Sequence, residues 1–193
     1  MNIFTEVLAP QSAAYNIAFT ARIRCHLNIS ALQRALQTLI ARHPTLRTTF
    51  GQRDAEPFQE VHEDREVYIE TIDASTWDED ELTKGAIAAY KRPFNLERGV
   101  MRVNLLTRSS QDYVLLLAIH HIAVDGFSFG IILDELRLLY EAENTGRAIS
   151  LAPVEWKYKD FVQWQHKMLK SPAGDNLWAY WQKQFCLKYV KRY

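Results

Sequence analysis

Val114-Leu115-Leu116-Leu117-Ala118-Ile119 is apolar at every position. A strand of this kind is covered on both faces, so the run predicts a strand at the centre of a sheet. It belongs to a longer segment, Asp112–His120, which follows Met101–Arg108 across the short polar turn Ser109-Ser110-Gln111. Two such strands joined by a short turn predict a β-hairpin, and the rest of the fold is expected to be arranged around it.

On the N-terminal side, the segment from Tyr15 to His26 alternates apolar and polar residues, which predicts a half-buried strand. Apolar residues at helical spacing follow and predict a helix, with Ser30 as the expected N-cap and Pro44 ending the helix. Further short strands and helices are predicted around the hairpin. The strands are Thr45–Arg53, Phe58–His62 and Val67–Ile72, and the helices are residues 77–90, 127–142, 157–169 and 174–185. Strands mixed with helices predict an α/β (α+β) sandwich, a mixed sheet with helices packed on it.

Composition narrows the class of protein. The chain has 193 residues, 48% of them hydrophobic, and 23 basic side chains balance 23 acidic ones. A zero net charge argues against a nucleic-acid partner, and no apolar run approaches the ~20 residues of a membrane-spanning helix. The N-terminus has no signal-peptide pattern. Cys25 and Cys186 lack metal or redox spacing, so we expect reduced thiols in a cytoplasmic protein with neither nucleic-acid nor membrane partners.

Two adjacent histidines, His120 and His121, stand where the apolar strand ends and the helix from Phe127 begins. Functional groups favour such loops on a rigid scaffold. Because side chains alternate along a strand, the two imidazoles should point to opposite faces, and we therefore predict no metal site. One imidazole is expected to be buried and the other to face a cleft. Strand geometry alone leaves open that both are structural.

The residues after the histidines narrow the chemistry. Asp125 could cap the following helix or equally pair with a buried arginine, and Gly126 indicates an unusual backbone angle or the close approach of a ligand. Ser128 is not in a G-x-S-x-G elbow, and neither Cys25 nor Cys186 lies near His120 and His121 in sequence. We therefore expect proton transfer or positioning by one histidine, without a covalent intermediate.

The spacing His120-His121-x-x-x-Asp125-Gly126 resembles the HHxxxDG motif of nonribosomal peptide synthetase condensation domains, members of the chloramphenicol-acetyltransferase-like superfamily. Carnitine and plant acyltransferases and epimerization domains share the core of this motif. Other stretches are similar to further condensation-domain motifs: Arg42–Phe50 to RHxxLRTxF, Pro93–Leu96 with Met101-Arg102 to the PF-D/N-L stretch, and 160–165 and 177–181 to the DFxxWQ and YW helices. The likeness runs from about Ala9 to Phe185.

The chain departs from the family pattern at both ends. The family's opening SxAQxRLW-like motif is not found before Ala9, and its second, C-terminal lobe of the same fold is missing from this sequence. The resemblance therefore implies the N-terminal lobe alone over residues 1–187, followed by a short basic tail over 188–193.

The resemblance also implies a mechanism. Donor and acceptor carrier proteins deliver thioesters on phosphopantetheine arms into a tunnel between the lobes, and the acceptor amine attacks the donor carbonyl to form an amide. His121 matches the catalytic position, and the N–H of Gly126 is a candidate oxyanion donor. His120 and Asp125 would be structural, with Asp125 paired to Arg47 or Arg42. No cofactor is expected to bind the lobe itself.

Two other functions stay open. Epimerization domains share the fold but read HHxxxDGVSWR, whereas Phe127-Ser128-Phe129-Gly130 is closer to condensation domains. The other alternative is a non-catalytic lobe that docks a carrier protein, or a fragment that is inactive without its C-terminal lobe.

Overall fold

The computed structural model of the chain describes residues 12–54 and 56–185. The expected tail over 188–193, Cys186 and the start of the family likeness at Ala9 lie outside these residues. The described residues fall into two compact units, one up to Ala152 and one from Pro153 onward. Among the described residues, no helix combines the length and the apolar character needed to cross a bilayer.

The first unit contains a mixed four-stranded sheet in the order β1-β6-β5-β4, in which β4 and β5 are parallel and the other pairs antiparallel. A separate antiparallel pair is formed by β2 and β3. The strands are β1 (Asn16–Ile23), β2 (Thr48–Arg53), β3 (Glu56–Val61), β4 (Ile69–Asp73), β5 (Met101–Ser109) and β6 (Asp112–His120). The predicted hairpin and the predicted mixed sheet are both confirmed.

The first unit also contains three α-helices, and two more form the second unit. They are α1 (Ile29–Arg42), α2 (Glu79–Lys91), α3 (Gly126–Thr145), α4 (Tyr158–Leu169) and α5 (Pro172–Gln184), with a 3₁₀ turn at Pro44–Arg47. The predicted N-cap of α1 is wrong. Ser30 is already helical, and the Asn28 side chain instead accepts a 3.0 Å hydrogen bond from the Ala31 amide. Asn caps helices as well as Ser does, so the helix begins after Asn28, the first of the two polar residues.

The central strand β6 is buried on both faces, as its sequence predicts. One face packs against α1 and α3, and the other packs against the segment around Phe94 and Leu96. The residues on the first face are Leu115, Leu117 and Ile119, and those on the second are Leu116 and Ala118. Since β6 lies between β1 and β5, it is hydrogen-bonded along both edges as well, and its C-terminal end has a fixed position.

The second unit is a pair of helices rich in aromatic side chains. Trp164 contacts Phe161 with ring centroids 5.8 Å apart, and Trp181 stacks on Phe185 at 5.4 Å. All four of these side chains are exposed. These ring contacts join residues three and four positions apart in sequence, so each forms along one helix.

Arg22 on β1 joins the edge strand to two other elements. Its guanidinium lies 2.6 Å from the Glu79 carboxylate at the start of α2 and 2.8 Å from the Asp112 carboxylate at the start of β6. Hydrogen bonds from Arg22 hold the pKa values of both Asp112 and Glu79 below their usual range. Carboxylates of this kind stabilise the fold above their unfolded pKa, and this contribution is lost as pH falls through the folded value.

We expect Arg22→Gln to lower the free energy of unfolding at pH 7 and to weaken its dependence on pH below about pH 4, where unfolded Asp and Glu titrate. Urea unfolding at neutral and acidic pH measures both effects. Arg34→Gln, which removes an exposed pair with Glu143, is the matched control and should change stability by at most about 1 kcal/mol. An Arg22→Gln variant with the acid sensitivity of the wild type would contradict this role.

Candidate active site

The backbone at the end of β6 is held from both sides. The His120 N–H donates to the Val100 carbonyl beside β5, and the His121 N–H donates to the Tyr15 carbonyl beside β1, each at 2.8 Å. A tight turn follows, closed by a 3.0 Å hydrogen bond from the Ala123 N–H to the His120 carbonyl. Both histidines therefore occupy fixed backbone positions, although only His120 belongs to the strand.

His120 is the buried member of the pair, with 2% of its surface exposed. Its ring lies 6.0 Å from the rings of both Tyr15 and Phe94, and its Nδ1 accepts a 3.2 Å hydrogen bond from the Ile122 N–H. Burial, together with the neighbouring His121, lowers the pKa of His120 to about 4. The imidazole is therefore neutral at physiological pH, and the hydrogen bond to Nδ1 places its proton on Nε2.

His121 is exposed, and it follows His120 on a backbone that continues the pairing of β6 with β1. Strand alternation predicts imidazoles on opposite faces, and the structure shows His120 buried and His121 exposed. The cleft expected at His121 stays a prediction. Among the described residues, no group of three or more His, Cys, Asp or Glu side chains is arranged to hold a metal ion.

The predicted ion pair of Asp125 with Arg47 or Arg42 is wrong. Asp125 is exposed and caps α3, accepting a 2.8 Å hydrogen bond from the Ser128 amide. That hydrogen bond is the main cause that lowers the pKa of Asp125. Because the carboxylate is solvated and already has a local donor, no buried charge requires an arginine partner.

The two arginines bind other groups. The Arg42 Nε donates to the Glu135 carboxylate at 2.9 Å, and its terminal nitrogen donates to the Ala152 carbonyl. His43 also lies 2.6 Å from the same Glu135 oxygen, so the end of α1 is tied to the middle of α3. Arg47 donates to the His62 carbonyl. Sequence analysis missed Glu135, whose only sign was an acidic side chain close to the apolar stripe of α3.

Gly126 begins α3, and here the sequence prediction is corrected in part. Its backbone φ is outside the left-handed region, so no unusual backbone angle requires glycine. A Cβ at Gly126 would have no heavy atom within 4 Å, which leaves room for a ligand. The first N–H groups of a helix have no intrahelical acceptor, and Asp125 occupies only that of Ser128. The amides of Gly126 and Phe127 therefore remain available at the positive end of the helix.

We expect Asp125→Ala to lower the free energy of unfolding by about 1 kcal/mol, the usual effect of losing an N-cap. Asp125→Asn, which keeps the capping oxygen, should be close to wild type at pH 7. Because the pKa of Asp125 is lowered in the fold, the stability of the wild type relative to Asp125→Asn should fall as pH falls through the carboxyl range. Urea unfolding measures these differences, and a loss of about 3 kcal/mol or more in the alanine variant would instead indicate a buried ion pair.

Comparison with known proteins places these features in a family. The family model described as "Condensation domain" matches residues 2–189. The chain is 39% identical over 184 residues to a linear gramicidin synthase protein of Brevibacillus parabrevis, covering 93% of this chain and 2% of that protein. It is 30% identical to surfactin synthase subunit 1 of Bacillus subtilis (strain 168), covering 93% of this chain and 5% of that protein.

Solved structures show the same fold. The starter condensation domain of rhizomide synthetase RzmA matches with a TM-score of 0.82 at 21% identity, covering 97% of this chain and 46% of that one. A chain from the complex of the X-domain and OxyB from teicoplanin biosynthesis matches with a TM-score of 0.79 at 25% identity, covering 93% and 39%. The chain thus spans less than half of these structures and a few per cent of the synthetase proteins.

These likenesses confirm the fold class predicted from the sequence, a mixed α/β lobe of the chloramphenicol-acetyltransferase-like kind. The family match extends over almost the whole chain, and it includes the histidine pair, Asp125 and Gly126. The chain belongs to the condensation-domain family of nonribosomal peptide synthetases.

Proposed function

We propose that this chain is the motif-bearing N-terminal lobe of a condensation domain that joins a carrier-bound acyl or peptidyl thioester to a carrier-bound aminoacyl acceptor. The observation that carries the proposal is the exposed His121, whose backbone is bonded to Tyr15 and whose imidazole interacts electrostatically with Asp125, the N-cap of α3. The partners in this proposal are a donor carrier protein, an acceptor carrier protein and a C-terminal lobe that completes the tunnel.

The reaction needs little from the protein beyond positioning and charge stabilisation. The acceptor nitrogen attacks the donor carbonyl carbon, a C–N bond forms, and the C–S bond to the donor arm breaks. The proton lost by the amine balances the thiolate that leaves, so the products are an amide and a free phosphopantetheine thiol. No metal, redox group or covalent enzyme intermediate enters this balance.

His121 is the residue we assign to the amine. A free α-amine has a pKa of about 8, so a substantial fraction is already neutral near physiological pH. An exposed imidazole can accept a hydrogen bond from the attacking amine, orient its lone pair and take the proton as the C–N bond forms. His120 is poorly suited to this task, because it is buried and its Nδ1 is already bonded to a backbone amide.

The amide of Gly126 is the group we assign to the developing oxyanion. Backbone donors at a helix N-terminus need no reorganisation, and they act where negative charge develops in the transition state. Asp125 supports this arrangement by capping Ser128, which holds the first turn of α3 in place without occupying the Gly126 amide. His120 and Asp125 are therefore positioning residues in this proposal, together with Arg42, which ties α1 to α3 through Glu135.

We expect His121→Ala to reduce amide formation by about 10²–10⁴-fold in the complete two-lobed domain, the range typical of general acid–base catalysis. The measurement is amide product formed between loaded donor and acceptor carrier proteins. His120→Ala should act mainly through stability, since it opens a cavity beside Tyr15 and Phe94. His26→Ala, at an exposed histidine outside the site, is the control and should retain activity.

Circular dichroism and thermal unfolding establish whether each variant is folded. A folded His121→Ala variant with full activity would exclude the catalytic assignment. A loss below tenfold would favour positioning by the tunnel and the backbone over proton transfer. A wild-type domain that binds both carrier proteins without forming an amide would favour the non-catalytic docking function.

A further inference from the structure

Helix α3 has apolar side chains on two opposite faces. The face toward the sheet carries Phe129, Ile132, Leu136 and Leu139, all buried. Phe127 and Ile131 lie on the other side, 89% and 54% exposed, and Phe127 is the most exposed large hydrophobic side chain in the described part of the molecule. A surface helix is normally polar on its outer face, so this pair requires an explanation beyond the fold.

Gly130 lies between these two side chains in sequence and is a second unexplained feature. Glycine inside a helix costs about 1 kcal/mol relative to alanine. Its backbone φ is outside the left-handed region, and a Cβ there would meet no heavy atom within 4 Å. Neither backbone conformation nor packing of the described residues therefore requires glycine, and its effect is to leave the outer surface of α3 bare.

The direction of helical side chains places Phe127 at the site. In an α-helix, side chains lean toward the N-terminus and cover the turn before their own Cα. Phe127, in the first turn, therefore lies over the helix end that presents the Gly126 amide, and Ile131 follows one turn later on the same face. We call Phe127, Gly130 and Ile131 the outer face of α3.

We propose that the outer face of α3 contacts the substituent of the donor acyl group and selects donors that are bulky and apolar. This inference rests on the proposed function, in which Gly126 binds the donor carbonyl oxygen. A hydrogen-bonded oxygen lies about 3 Å from the Gly126 nitrogen, and the acyl α-carbon is only two bonds from that oxygen. Phe127 is the next residue, with its Cα about 3.8 Å from that of Gly126, so its ring is within reach of the donor substituent.

The chemistry of the outer face defines the substrate class. Residues 126–133 read Gly-Phe-Ser-Phe-Gly-Ile-Ile-Leu and contain no charged side chain, and the charged residues that flank them, Asp125 and Asp134, are both exposed and acidic. An anionic donor group held against Phe127 would lose water and find no cationic side chain among residues 125–134, whereas an aliphatic or aromatic group gains contact area. The empty space at Gly130 provides room for that group beside Ile131.

The test measures donor selectivity in the complete domain. Donor carriers are loaded with acetyl, 4-methylpentanoyl, 3-phenylpropanoyl or succinyl groups, and kcat/KM for amide formation is compared using one acceptor. We expect Phe127→Ala to reduce kcat/KM for the two bulky apolar donors by about tenfold while changing that for acetyl less than about threefold. Ile87→Ala, at an exposed apolar residue of α2, is the matched control and should leave all ratios unchanged.

Gly130→Ala gives a second, independent readout. A Cβ at this position meets nothing in the described residues and improves helix propensity, so the variant should unfold at a higher temperature than wild type. It should nevertheless reduce kcat/KM for 3-phenylpropanoyl by severalfold more than for acetyl. A glycine with no part in donor binding would gain stability with no change in selectivity, and that outcome would count against the proposal.

The outcomes separate this inference from the proposed function. If the domain forms amide and Phe127→Ala leaves the donor selectivity ratios unchanged, the inference is overturned while the proposed function stands. An equal loss for all donors, with a lower melting temperature, shows that Phe127 packs against protein rather than substrate and also overturns it. If the wild-type domain forms no amide, the proposed function fails. In that case the inference is decided by NMR on the 193-residue chain, from the chemical shifts of the Gly126 to Ser128 amides. The inference requires that 3-phenylpropanoyl-pantetheine changes these shifts more than acetyl-pantetheine does.

Discussion

Burial of β6 on both faces, with hydrogen bonding along both edges, is the constraint on which the site depends. Neither face of the strand is exposed to solvent, so packing on both sides fixes the position and the orientation of its last residue. The N–H groups of His120 and His121 then extend the pairing to Val100 on one side and Tyr15 on the other. A buried imidazole and an exposed one follow directly, because consecutive side chains on such a backbone point in opposite directions.

Sequence patterns predicted this part of the molecule because the patterns are local. A continuous apolar run identifies a strand covered on both faces, and period two assigns its side chains to those faces. The alternation remained valid one residue beyond the strand, at His121, because the Tyr15 carbonyl continues the pairing with β1. The capping box of α2 is local in the same sense, because Asp78 and Glu81, which exchange hydrogen bonds, lie three residues apart.

Partners of charged side chains could not be predicted in the same way. A sequence shows that Asp125 and two arginines exist but does not show which acceptor lies nearest to each guanidinium. Glu135 is far from Arg42 in sequence, yet it lies 2.9 Å from the Arg42 Nε, whereas Asp125 accepts from a donor three residues away. Local hydrogen bonds of this kind compete with long-range ion pairs, and an exposed carboxylate satisfied locally gains little from a distant cation.

The first two turns of α3 have features that reduce the stability of a helix. The amides of the first two residues have no hydrogen-bond acceptor among the described residues, and Phe127 is exposed to solvent. Two glycines are present that no contact in the described residues requires. Asp125 offsets part of this cost by capping Ser128, and the ion pair of Glu135 with Arg42 fixes the helix to α1 further along. The anchoring contacts therefore lie on the core side and at the cap, while the first two amides of the helix are left open. Such a distribution is expected where a helix must hold a binding surface rigidly without covering it, because the groups that bind a ligand cannot also be satisfied within the fold.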